Sequence, residues 1–112
     1  MAYDEELAER VRGALATTPD VSERKMFGGL AFLVGGHMAC GIVGGDLMLR
    51  LGEDGADAAL DEPHTRPMDF TGRPMKSMVY VAPSGTDTDA ALLAWVERAV
   101  AHARALPPKE QD

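Results

Sequence analysis

The sequence contains few of the side chains from which reactive centres are built. Its 112 residues include one cysteine, Cys40, and three histidines, His37, His64 and His102. A lone cysteine cannot close an intramolecular disulfide, and no second cysteine or histidine stands at the spacing of a metal site. His37 and Cys40 are three residues apart, so on a strand they point to opposite faces. We therefore predict no bound metal, no cofactor and no catalytic residue.

Nucleophilic and phosphate-binding chemistry are also disfavoured. Cys40 lies between Ala39 and Gly41 in an apolar run, where no neighbouring cation lowers the pKa of the thiol. We interpret it as a core residue rather than as a nucleophile with His37 or His64 as its base. The glycines form neither G-x-x-x-x-G-K nor G-x-G-x-x-G. An enzyme is therefore the least favoured class of function.

The sequence also has few basic residues and few long apolar runs. The chain has 11 basic and 18 acidic residues and a net charge of −7, which opposes broad binding to nucleic-acid phosphates. The longest nearly uncharged run, residues 26–45, is rich in glycine, which suits turns better than a membrane helix. Residues 1–6 are acidic, whereas a secretory peptide begins with basic residues. We expect a cytoplasmic protein without a membrane span.

Helical patterns stand at both ends of the chain. Residues 4–17 predict an amphipathic helix that Asp4 can cap and Pro19 ends. After capping residues at 86–89, an apolar stripe that includes Trp95 predicts a longer helix. We expect Trp95 and Tyr80 to anchor the core.

Between these helices, glycine pairs separate apolar segments. Glycine pairs supply the positive φ angles of tight hairpin turns, so we predict three strands near residues 24–34, 37–43 and 46–51. A short helix is predicted over residues 56–60. Alternation predicts another strand over 75–82, with residues 68–70 as a short hairpin partner.

The predicted order is one helix, three strands, a short helix, one or two strands and a long helix. This order indicates an α+β fold of two layers, in which terminal helices cover one face of a four- or five-stranded antiparallel sheet. We expect a single domain over residues 1–106 and a polar tail over residues 107–112.

Two groups of side chains could form contact surfaces. The predicted hairpins could bring five cations to one edge of the sheet as a local anion-attracting patch; they are Arg24, Lys25, Arg66, Arg73 and Lys76. Six of the methionines crowd the strand region. Flexible thioethers suit both irregular cores and adaptable binding surfaces, so a subset exposed beside Phe27 would form a partner-binding or self-association patch.

Two sequence runs stand out: Arg24-Lys25-Met26-Phe27-Gly28-Gly29 and, after strands separated by glycine pairs, Leu47-Met48-Leu49-Arg50. This combination resembles the TfoX N-terminal domain family. Phe70 before Met75, Met78 and Tyr80 and a Leu93–Trp95 helix extend the resemblance over residues 7–104. It implies a two-layer α+β fold similar to secretion-chaperone-like domains. The family is named for a bacterial regulator of natural competence that acts on transcription, and the second, C-terminal domain of full-length regulators is expected to be absent here.

The resulting functional prediction is a non-enzymatic, cytoplasmic regulatory module that acts through a protein partner. Its predicted contact residues are Arg24, Lys25, Met26 and Phe27, with Gly28 and Gly29 beside them. The alternative is a nucleic-acid or small-anion binder that uses Arg24, Lys25, Arg66, Arg73 and Lys76. Homodimerisation through a sheet edge or the methionine-rich face also remains open.

Overall fold

The computed structural model describes residues 3–26, 28–70 and 73–107, without the side chains of residues 69, 70 and 73–75. Three helices and six strands form within these ranges, together with a 3-10 turn at Pro83–Gly85. In chain order they are α1 (Glu5–Ala14), β1 (Val21–Met26), β2 (Gly29–Val34), β3 (His37–Val43), β4 (Asp46–Arg50), α2 (Gly52–Leu60), β5 (Thr65–Phe70), β6 (Arg73–Val81) and α3 (Asp89–Ala105).

The helix termini show the capping that the sequence predicts. The carboxylate of Asp4 accepts hydrogen bonds from the backbone N–H groups of Glu6 and Leu7, at 2.9 and 3.2 Å. The hydroxyl of Thr88 accepts one from the N–H of Ala91 at 3.1 Å. Such caps satisfy donors that the first helical turn leaves free. Helix α1 ends earlier than predicted, at Ala14, and α2 begins earlier, at Gly52.

The strands form one antiparallel sheet in the order β1-β2-β3-β4-β6-β5. The single strand predicted over residues 24–34 is wrong, because the chain reverses within it. Met26 and Gly29 lie opposite each other in the β1–β2 ladder, and Gly28 has a φ of +71°. Glycine adopts that left-handed conformation without a Cβ penalty, so the glycine pair makes a turn inside the apolar run.

The α+β class is confirmed, whereas the predicted count of four or five strands is too low. Residues 68–70 do pair with β6, as part of the longer strand β5. Pro67 can occupy this strand because β5 lies at the edge of the sheet, where a missing N–H costs no ladder hydrogen bond.

All three helices pack on one face of the sheet. The main core joins Leu7 and Val11 of α1, Ala56 of α2 and Trp95 of α3 to alternate residues of the strands, including Phe32. Trp95 is only 8% exposed, which confirms its predicted core position. Among the described residues, no helix has both the length and the hydrophobicity needed to span a bilayer.

The other side of the sheet, which we call the open face, carries a second cluster. Buried methionines at its centre are Met48, Met68 and Met78, and Met38, Val43 and Tyr80 pack against them while partly exposed. The prediction that Tyr80 anchors the same core as Trp95 is therefore wrong. Register explains the difference, since Tyr80 lies opposite Met48 and residues directly opposite in a ladder share a face.

Candidate interaction surface

The five predicted cations do not lie on one edge of the sheet. Arg24 and Lys25 belong to β1 at one edge, whereas Arg66 belongs to β5 at the other, and Arg73 and Lys76 belong to its neighbour β6. With about 4.8 Å between adjacent strands, β1 and β5 are about 24 Å apart along the sheet. The strand order therefore corrects the expectation that these cations form one edge patch.

Adjacent residues of β1 point to opposite faces of the sheet. Arg24 lies opposite Ala31, whereas Lys25 lies opposite Leu30, a member of the helix-side core. Since successive strand residues alternate in direction, Arg24 is on the open face and Lys25 is on the helix-covered face. Both are exposed. Met26 shares the open face with Arg24, and the predicted contact at Phe27 falls outside the described residues.

The two glycines of the predicted contact run have structural roles. A Cβ added to Gly28 would meet no atom within 4 Å, so this residue is needed only for its φ angle of +71°. A Cβ added to Gly29 would lie 2.1 Å from the carbonyl oxygen of Ile42, in the backbone of β3. Gly29 therefore permits close approach of β2 and β3.

Arg66 joins Asp46 and Tyr80 on the open face. The guanidinium of Arg66 donates to the carboxylate of Asp46 at 2.6 Å and lies 4.6 Å from the centre of the Tyr80 ring. The hydrogen bond to Asp46 raises the pKa of Arg66. The guanidinium of Arg66 is thus held over an aromatic ring while its side chain remains half exposed.

The open face has the opposite charge balance from the whole protein. The ladder register places Arg24, Arg50 and Arg66 and one carboxylate, Asp46, at open-face positions of the described strands. The helices carry eight acidic residues, which are Glu5, Glu6, Glu9, Glu53, Asp54, Asp57, Asp89 and Glu97. A net charge of −7 therefore coexists with a locally basic, methionine-lined surface.

Sequence reasoning missed two members of this surface, Arg50 and Asp46. Both stand in β4, where Leu47 and Leu49 alternate with them along the strand and Leu51 follows at the next alternate position. The same alternation places Asp46, Met48 and Arg50 on the other face. That signal could have identified Arg50, although only the ladder shows that it lies opposite Met78 of β6.

The histidines occupy separate structural positions. A ring nitrogen of His37 makes a hydrogen bond with the carbonyl oxygen of Pro107, while Nδ1 of His64 lies 2.8 Å from the hydroxyl of Ser84. His102 packs against Gly52, and burial, with smaller effects of Arg50 and His37, lowers its pKa. Within the described ranges, no three His, Cys, Asp or Glu side chains are grouped as metal ligands.

Cys40 lies in the core with no exposed surface. Burial raises the pKa of its thiol to about 12, because a thiolate would lose its hydration in this apolar environment. The thiolate is the nucleophilic form of cysteine. The environment of Cys40 thus favours an inert thiol.

We expect Cys40 to resist labelling by an aromatic disulfide reagent at pH 8 in the folded protein and to react within minutes in 6 M guanidinium. A stopped-flow absorbance measurement gives both rates. Because folding raises the pKa of the thiol, Cys40 ionises more easily in the unfolded chain. The free energy of unfolding should therefore fall as the pH rises from about 9 towards 12. Rapid labelling of the folded chain would show that the thiol is accessible and reactive.

Comparisons with known proteins identify one relationship. Residues 13–103 match the family model described as the TfoX N-terminal domain. No curated protein and no solved structure matches the chain. The matched segment runs from the end of α1 to the last turns of α3, and so includes every strand of the sheet.

Proposed function

Because this chain belongs to the TfoX N-terminal domain family, we propose that it is a regulatory module without catalytic activity that binds a protein partner through the open face of its sheet. The partner segment is acidic and carries apolar side chains. Membership of the family supports a regulatory role, and the resemblance to a competence regulator supports an action in transcription in the cytoplasm.

The observation that carries this proposal is the local reversal of charge. Arg24, Arg50 and Arg66 share a face with one carboxylate, Asp46, which is already paired with Arg66. Complementary potentials accelerate encounter and exclude partners of like charge. An acidic segment is attracted to this face and repelled by the acidic helices on the other side of the protein.

Apolar contacts on the same face would supply the rest of the binding free energy. Met38, Val43 and Tyr80 are partly exposed around buried Met48 and Met78. The terminal methyl group of Met48 lies over Gly41, since a Cβ at Gly41 would be 2.7 Å from Cε. Thioether side chains can adjust to the shape of a bound segment, so this cluster suits an adaptable contact better than a rigid catalytic pocket.

Nucleic-acid or small-anion binding is the alternative use of these cations. The strand order places β1 about 24 Å from β5, which spreads the predicted cations instead of focusing them. A titration with a fluorescent 20-nucleotide single strand distinguishes this use, because phosphate binding weakens steeply with salt. Tight, salt-sensitive binding of the oligonucleotide would favour the alternative.

Charge reversal of two neighbouring residues tests the proposed surface. Arg24→Glu should reduce the recovery of protein partners by about 10-fold or more, since it places like charges in the contact, whereas Lys25→Glu should leave recovery unchanged. Both variants make the same charge change on β1, but on opposite faces. Quantitative mass spectrometry after affinity capture from the native cell measures the effect.

This comparison needs folding controls, which thermal melts of both variants provide. Partners lost equally from the two variants would indicate a net-charge effect rather than a contact on the open face. Partners lost only with Lys25→Glu would assign the contact to the helix-covered side and reject the proposed surface.

A further inference from the structure

Helix α3 carries a stripe of side chains that the fold covers only in part. Its apolar centre is exposed Leu93 and Val100, which is partly buried against the core, and its ends are exposed Asp89 and Arg104. Successive spacings of four, seven and four residues keep all four on one side of a helix with 3.6 residues per turn. Leu93 is 41% exposed, more than any other large apolar residue described.

Two hollows lie beside Leu93, between α3 and α1. One has a volume of 480 Å³ and is lined by Gly13, Ala14 and Leu92 among others. The other has a volume of 500 Å³ and includes Val96, Val100 and Ala101 in its lining. A side chain added at Gly13 would meet no atom within 4 Å, so this wall of the groove is open to an incoming helix.

We propose that this stripe binds a second copy of this chain, with the two α3 helices packed antiparallel. Leu93 and Val100 are equally far along the helix from the midpoint between residues 96 and 97. A two-fold axis at that midpoint therefore places Leu93 on Val100 of the second copy. The same register places Asp89 on Arg104 of the second copy. One two-fold rotation therefore brings the apolar residues into contact with each other and places opposite charges together at both ends.

The identity of the occupant follows from this self-complementarity. A C2 interface requires one patch to match itself, and α3 supplies opposite charges at equivalent distances from its midpoint. Asp89 also contacts Arg10 at 3.3 Å, yet its side chain remains 95% exposed, so it can accept a second guanidinium. Antiparallel packing also aligns the two helix dipoles favourably.

The expected dimer is weak and reversible. Helix α3 has 17 residues and is thus about 25 Å long. The stripe and the neighbouring residues of α1 therefore form a small interface of the size found in transient complexes. Glu97 lines the same groove as Leu93 and Val100, and the axis between residues 96 and 97 brings the two Glu97 carboxylates near each other, which weakens the dimer. The dimer leaves the open face of the sheet free, so this proposal is independent of the proposed partner contact.

Sedimentation velocity from about 1 to 500 μM provides the test, and the wild-type chain should show a concentration-dependent dimer. Leu93→Glu should raise the dissociation constant by about 30-fold or more, the effect of losing a central interface residue. Gly13→Gln should also weaken the dimer by filling the groove. Leu60→Glu is the matched control, because Leu60 is 37% exposed but lies on α2; it should leave the dimer unchanged.

Charge exchange tests the antiparallel register. Asp89→Arg and Arg104→Asp should each weaken the dimer by about 10-fold, and the double variant should recover most of that loss, because the opposed pairs are re-formed with reversed signs. Thermal melts verify that each variant is folded. A monomer at every concentration, equal effects of Leu60→Glu and Leu93→Glu, or no recovery in the double variant would overturn the proposal.

Discussion

Replacing Gly29 with alanine should destabilise the protein by more than about 3 kcal/mol. The added Cβ would lie 2.1 Å from the carbonyl oxygen and 3.1 Å from the carbonyl carbon of Ile42. These are backbone atoms of β3, so relief requires β2 and β3 to separate near Leu30 and Ile42, which lie opposite each other in the ladder. A loss of this size is a large share of the stability of a small domain.

Gly28→Ala is the matched control for this substitution. Its Cβ would enter open space, and only the φ angle of +71° opposes it, at a cost of about 1–2 kcal/mol. Urea unfolding followed by circular dichroism gives both free energies. If Gly28→Ala were the more damaging change, the motif's glycine pair would act through turn conformation and not through close strand contact.

Replacing Trp95 with alanine should cost about 3–5 kcal/mol of unfolding free energy. Trp95 is 8% exposed and belongs to the core that joins α1 and α3 to the sheet. Truncation would remove a large apolar side chain and leave a cavity that the surrounding strands can fill only in part. Guanidinium unfolding at constant pH measures the change.

The variant Arg98→Ala separates two contributions to the free energy of unfolding, the burial of Trp95 and the cation–π contact between Arg98 and the Trp95 ring. The guanidinium of Arg98 lies 4.5 Å from the centre of the Trp95 ring and pairs with Glu62 at 2.7 Å. Both contacts are partly exposed, so their loss should cost about 1 kcal/mol or less. An Arg98 variant as unstable as the Trp95 variant would assign the effect to stacking.

Helices and isolated strands could be predicted from the sequence because their signals are local. Asp4 and Thr88 are capping residues beside periodic apolar positions, and the alternation at Leu47 and Leu49 marks a half-buried strand. The reversal between Met26 and Gly29 was missed because apolar residues continue through it. Strand β5 was recognised only over its last three residues, since Pro67 weakens the local strand pattern.

The candidate surface was less predictable because it depends on strand order and register. Arg24 and Lys25 are adjacent in the sequence, yet the sheet directs them to opposite faces. Arg66 is distant from Arg24 along the sheet but contacts Asp46 and Tyr80, which come from two other strands. No local pattern specifies that β6, and not β5, pairs with β4.

The most direct test of the open face as the contact surface is photo-crosslinking in the native cell. A photoreactive amino acid at Ser22 would stand on the open face, opposite Leu33, and one at exposed Ala58 would stand on α2 as the control. We expect a discrete protein adduct from position 22 and none of the same mass from position 58. An adduct that forms only from position 58 would show that the partner binds the helix-covered side.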